Sequence, residues 1–146
     1  MFIKIVGPIL SDNQFATGTT NATITVSNIS PTVGAISAST NPIQVNTTTT
    51  TSASFTDPGI LDTHISVWDW GDGIISNGTV TETNGSGSIS NSHIYTQAGV
   101  YTIKLTVIDN DGGVETQTYQ YLSVYNQTST GLFSAAAFFT SPEGAY

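Results

Sequence analysis

Four aspartates, Asp57, Asp62, Asp109 and Asp111, stand in turn-forming segments of this 146-residue chain, among Pro, Gly and Asn. Carboxylates are hard oxygen donors suited to calcium, and they serve equally well as acceptors for turn amides. Asp69 and Asp72 flank Gly71 and imitate a catalytic carboxylate pair, while His64 and His93 lie in strand-like contexts. Neither histidine belongs to a nucleophile motif, and no Gly-x-Ser-x-Gly elbow occurs. Without an activated nucleophile or an acid–base set, these residues do not make an enzyme.

The charge balance removes further classes. Two lysines and no arginine stand against ten acidic residues, for a formal charge of −8. A nucleic-acid surface needs a basic patch to displace counterions, and none can be assembled here. Docking on anionic lipid fails for the same reason. There is no cysteine, so disulfides and thiolate metal sites are excluded. Met1 to Leu10 is interrupted by Gly7 and Pro8, and the apolar run Leu132 to Phe139 is far too short to span. No membrane insertion is expected, and an export signal would lie upstream.

The elements that must position these residues are strands. Only 8% of residues are charged, and Thr, Ser, Asn and Gly supply most of the polarity. Thr is stiff at χ1 and suits the solvent face of a strand, whereas Ser, Asn and Gly suit turns. No 3.6-residue apolar period is sustained. Strands are expected at Thr32–Ser37, Thr49–Phe55, His64–Trp70, Gly73–Thr83 (an exposed edge), Ser88–Tyr95, Val100–Asp109 and Val114–Tyr125. In Val100–Asp109, Tyr101, Ile103, Leu105 and Val107 share one face. Trp68 and Trp70 likewise share a face, just before a Gly71-Asp72-Gly73 turn. The fold class is all-β, with about seven strands.

Together Trp68-Asp69-Trp70-Gly71-Asp72-Gly73, His93-Ile94-Tyr95, Ala98 to Val107 and Asp109-Asn110-Asp111-Gly112-Gly113 resemble the PKD (polycystic kidney disease repeat) domain. Ser54 to His64 is similar to the variant of bacterial and archaeal cell-surface proteins. The resemblance implies an immunoglobulin-like antiparallel β-sandwich over residues 29–125, with Trp68 buried and Tyr101 at a tyrosine corner. It also implies Asn28, Asp57 and Asp109 as candidate calcium ligands, Ca²⁺ being the one cofactor suggested. Pro58 and Gly59 stand where an acidic run is usual.

Ala22 to Asn28 is similar to Tyr119 to Asn126, with Ile24 on Leu122 and Val26 on Val124. Residues 1–28 therefore read as the tail or last strand of a preceding repeat, or as an assembly strand. Residues 126–146 read as a linker and the start of a following segment. By the same alignment Tyr119, Tyr121 and Tyr125 face outward as an interaction stripe, for a neighbouring domain or for glycans. Asn-x-Ser/Thr sequons mark Asn21, Asn28, Asn46, Asn77, Asn84 and Asn126 as glycosylation candidates. The expected role is a non-catalytic extracellular or cell-surface module for spacing, adhesion or assembly, partnered by neighbouring domains or subunits. The alternatives are a carbohydrate-binding accessory domain of a secreted hydrolase and a fibre subunit that assembles through its apolar ends.

Overall fold

A computed structural model describes residues 27–127. The readings placed on residues 1–26 and 128–146, including Asn21 and the apolar ends, lie outside the described residues. Ten strands follow in chain order: β1 (Thr32–Val33), β2 (Ser37–Ala38), β3 (Ile43–Gln44), β4 (Thr48–Thr56), β5 (His64–Asp69), β6 (Ile75–Asn77), β7 (Thr79–Thr83), β8 (Ser86–Ile94), β9 (Gly99–Asp109) and β10 (Val114–Tyr125). They form two sheets, β1-β4-β8-β7 with β2 also on β4, and β3-β10-β9-β5-β6. Every pairing is antiparallel except β3 with β10. The all-β, immunoglobulin-like sandwich is thus as expected.

Alternation builds the core. In β4, Thr49, Thr51, Ala53 and Phe55 are buried while Thr48, Thr50, Ser52, Ser54 and Thr56 face solvent. In β9, Ile103, Leu105 and Val107 are fully buried and Tyr101 packs against them half-buried. Trp68 and Trp70 stack at 5.6 Å between ring centroids and are inaccessible to solvent. Each buried indole contributes on the order of 2–3 kcal/mol. Gly71 and Gly73 turn the chain at φ of 78° and 91°, and the Tyr95 hydroxyl donates to the Trp70 carbonyl at 2.8 Å. The Tyr101 hydroxyl donates to the Gln97 carbonyl, four residues upstream, at 3.0 Å. That is the tyrosine corner.

Thr32–Ser37 is interrupted into two short strands that pair separately with β4, and ten strands stand where about seven were expected. Two further readings change. Gly73–Thr83 is not one edge strand. Ile75–Asn77 pairs with β5 in one sheet, and Thr79–Thr83 pairs with β8 in the other. The chain crosses at Gly78, where an added Cβ would come within 2.5 Å of both Ser66 Oγ and Trp68 Nε1. The second change is in β10. Its register with β9 shifts between Tyr119 and Leu122, and Tyr121 takes a φ of 64°. An extra residue in a strand reverses which side chains point inward. Tyr119 therefore packs against the core instead of facing outward, and the tyrosine stripe is broken.

Candidate functional site

The sandwich has two poles. One carries residues 28–31, the β4–β5 loop, the β7–β8 turn and the β9–β10 turn; the other carries the β5–β6 turn, the β8–β9 connection and the end of β10. Antiparallel strands return the chain to the same pole every second element, so distant aspartates meet. Asp57, Asp62 and Asp109 each bring a carboxylate oxygen within 4.8 Å of the others. Asp111 is exposed in the adjoining turn. The Thr63 amide donates to Asn110 Oδ1 at 2.9 Å and ties the two loops together.

Each carboxylate is differently engaged. Asp109 is buried and accepts from the Asp111 and Gly113 amides at 2.9 and 2.8 Å. Asn28 Nδ2 donates to both of its oxygens, at 3.1 and 2.9 Å. Burial works to raise the Asp109 pKa, but the Asn28 side chain and the turn amides outweigh it and hold the pKa below its ordinary value. Asp57 accepts from the Gly59 amide at 2.6 Å through Oδ1, and its Oδ2 faces His64. Asn28 thus reaches the cluster with a donor nitrogen bound to Asp109. Hard oxygens from Asp57, Asp62 and Asp109 fit a calcium ion chemically.

His64 lies between two acids. Its Nε2 is 3.0 Å from Asp57 Oδ2 and its Nδ1 is 2.6 Å from Glu82 Oε2. A neutral imidazole has one donor and one acceptor, so only the doubly protonated ring satisfies both carboxylates. Burial works to lower the His64 pKa; the hydrogen bonds to Asp57 and Glu82 raise it above 6.5 overall. The ring is locked on both sides and offers no lone pair to a substrate. It joins the sheets, since β5 and β7 belong to different ones.

At the opposite pole His93 Nε2 lies 2.7 Å from Asp72 Oδ2, and the ring stacks on Trp70 at 4.8 Å. Asp72 Oδ1 accepts from the Ile74 amide, and Asp69 Oδ1 from the Gly71 amide. Both aspartates are turn acceptors.

Of the tyrosines, Tyr121 is 73% exposed and Tyr125 is also exposed. Asn41 holds the bulge: its Nδ2 donates to the Tyr119 hydroxyl and the Tyr121 carbonyl, and its Oδ1 accepts from the Ser123 amide. The sequon asparagines Asn46, Asn77, Asn84 and Asn126 are exposed, while the Asn28 side chain is committed to Asp109. Sequence reasoning placed His64 in a strand-like context outside any nucleophile motif but missed its partners. Asp57 and Glu82 lie 7 and 18 residues away, and no local pattern links the three.

Comparison with known proteins follows the architecture. The PKD domain family matches residues 28–124. The PKD domain of an M14-like peptidase from a Thermoplasmatales archaeon is 20% identical; the alignment covers 68% of this chain and 100% of that one, with a TM-score of 0.53. The PKD1 domain of Vibrio anguillarum Epp is 25% identical, with coverages of 68% and 100% and a TM-score of 0.48. No curated protein matches the chain significantly.

Proposed function

The chain belongs to the PKD domain family, and from that premise we propose that it is a non-catalytic extracellular module that spaces and joins the parts of a larger surface or secreted protein. One observation carries the reading: the chain comes in at the acidic pole, where Asn28 is bonded to Asp109, and leaves at the other, where Val124 pairs with Gly99 and Ile43. A strand of β10's length, 12 residues, separates the poles by about 40 Å at ~3.4 Å per residue. Tension between neighbours then runs along the long axis and across both sheets. The likeness to the PKD domain of an archaeal peptidase supports a place beside other domains. Exposed Tyr121 and Tyr125 supply contact surface for neighbouring domains or subunits. Among the described residues no helix is long and apolar enough to cross a membrane.

Stretching a polyprotein that contains the full chain tests this. A spacer opens in a single step, releasing roughly 300 Å as about 98 residues extend. Smooth extension without a step would reject it.

A second reading has its own support. The convergence of three carboxylates favours a structural calcium ion held by Asp57, Asp62 and Asp109 at the pole where the chain comes in. Millimolar calcium should raise the Tm relative to chelator, and Asp62→Asn should remove the increment. An unchanged Tm ends this reading and leaves the spacer intact.

A further inference from the structure

At the pole where the chain leaves, the β5–β6 turn, the β8–β9 connection and the start of β9 enclose a pocket of about 370 Å³. Gly71, Asp72, Ile74, Thr96, Gln97 and Tyr101 line it. Its size lies at the small end of the range for small-molecule sites. Apolar side chains line most such sites, whereas here Asp72, Thr96, Gln97 and Tyr101 each bring a polar group. All the lining residues except half-buried Tyr101 are exposed, so the pocket opens to solvent.

The walls are held before any ligand arrives. Asp72 Oδ1 accepts from the Ile74 amide at 3.1 Å and Oδ2 meets His93 Nε2 at 2.7 Å, which orients the carboxylate. Each oxygen keeps a second lone pair for a further donor. The Tyr101 hydroxyl is tied to the Gln97 backbone carbonyl, which leaves the Gln97 side-chain amide to the pocket. Behind Tyr101 the rings follow one another inward. Tyr95 lies at 4.4 Å, His93 at 4.6 Å from Tyr95, and buried Trp70 at 4.8 Å from His93. Walls fixed by packing and hydrogen bonds spare a ligand the cost of ordering them.

We propose that this pocket binds a single neutral sugar ring. Sugar hydroxyls both donate and accept, which matches a carboxylate that accepts and the Gln97 amide and Thr96 hydroxyl that do both. The C–H face of such a ring needs an apolar partner. The Ile74 side chain, 52% exposed, and the Tyr101 ring supply it. A cation fits less well, because the pocket's one carboxylate already faces His93 and a single exposed ion pair contributes little. An anion would meet the Asp72 carboxylate and be repelled.

Two-dimensional NMR on the full chain tests the proposal, with the methyl glycosides of glucose, galactose, mannose and N-acetylglucosamine as probes. A ligand of about a dozen heavy atoms at ordinary efficiency binds with a Kd on the order of 1 mM. At least one glycoside should therefore shift the Ile74 methyl and Gln97 side-chain amide signals, saturating in the millimolar range. Gln97→Ala keeps the backbone carbonyl of the tyrosine corner and should weaken that binding roughly 3- to 10-fold, read at the Ile74 methyl. Tryptophan fluorescence on heating reports whether this variant is folded. Four results overturn the proposal. They are no saturable shift at the pocket signals with any of the four glycosides, shifts confined to Tyr121 and Tyr125, undiminished binding by folded Gln97→Ala, or saturation by butylammonium with no response to the glycosides.

Discussion

Replacing His64 with alanine probes the link between the sheets. The His64 and Asp57 side chains are fully buried, and Glu82 is one quarter exposed. Removing one member of a buried ion pair costs about 3–5 kcal/mol, because the remaining charge keeps its desolvation cost. Glu82 can relax toward water but Asp57 cannot, so about 3 kcal/mol is the expected loss at mildly acidic pH. The ring also packs on Phe55 at 4.5 Å between centroids, and its removal leaves a cavity that adds to the loss. For a sandwich of this size, ~3 kcal/mol lowers the Tm by roughly 12–24 °C.

The loss depends on pH. A histidine whose pKa is raised on folding contributes stability that is complete below its unfolded value, 6.5, and fades as pH rises through the folded value. Native stability should therefore fall as pH rises above 6.5 through the raised folded value, and the deficit of His64→Ala should shrink with it. Thermal unfolding followed by tryptophan fluorescence from pH 5.5 to 9 reads both effects. Two results contradict this: His64→Ala melting with the native protein at acidic pH, or native stability rising as pH climbs above 6.5.

Three further outcomes follow from local geometry. Tyr95→Phe leaves the buried Trp70 carbonyl without a donor and should cost about 1–3 kcal/mol, more than Tyr101→Phe, whose acceptor Gln97 is exposed; denaturant titration ranks the two. Gly71→Ala should destabilise more than Gly73→Ala in the same assay. Both glycines have positive φ, but only at Gly71 does an added Cβ meet backbone, 2.5 Å from the Thr102 carbonyl oxygen. Asn28→Ala should shift acid unfolding to higher pH. The stability that Asp109 supplies is complete above 3.8 and is lost as pH falls through its lowered folded value, so removing the Asn28 donors narrows that gap. A circular-dichroism acid titration measures the midpoint.

The parts of the fold that local periodicity specifies were legible in advance. Trp68 and Trp70 on one face, the Gly71-Asp72-Gly73 turn and the alternation of β9 all follow from two-residue spacing and turn chemistry. What escaped depends on three-dimensional context. The crossover at Gly78 is set by close packing over Ser66 and Trp68, and Ile75 to Thr83 keeps a strand-like composition on both sides of it. The bulge in β10 is fixed by Asn41, about 80 residues earlier, so the inward turn of Tyr119 has no local signal. The candidate site was half legible. Turn aspartates at one end were foreseeable from topology, but the placement of His64 between Asp57 and Glu82 needs both sheets in place.

The central claim is that this module carries the chain from one pole to the other. Because the sequence has no cysteine, Ser27→Cys with Gln127→Cys gives two unique sites for spin labels at exposed positions. A pulsed dipolar distance on the order of 40 Å, the length of β10, is expected. A distance near 20 Å or below, about half a strand of that length, would place both ends at one pole and contradict it.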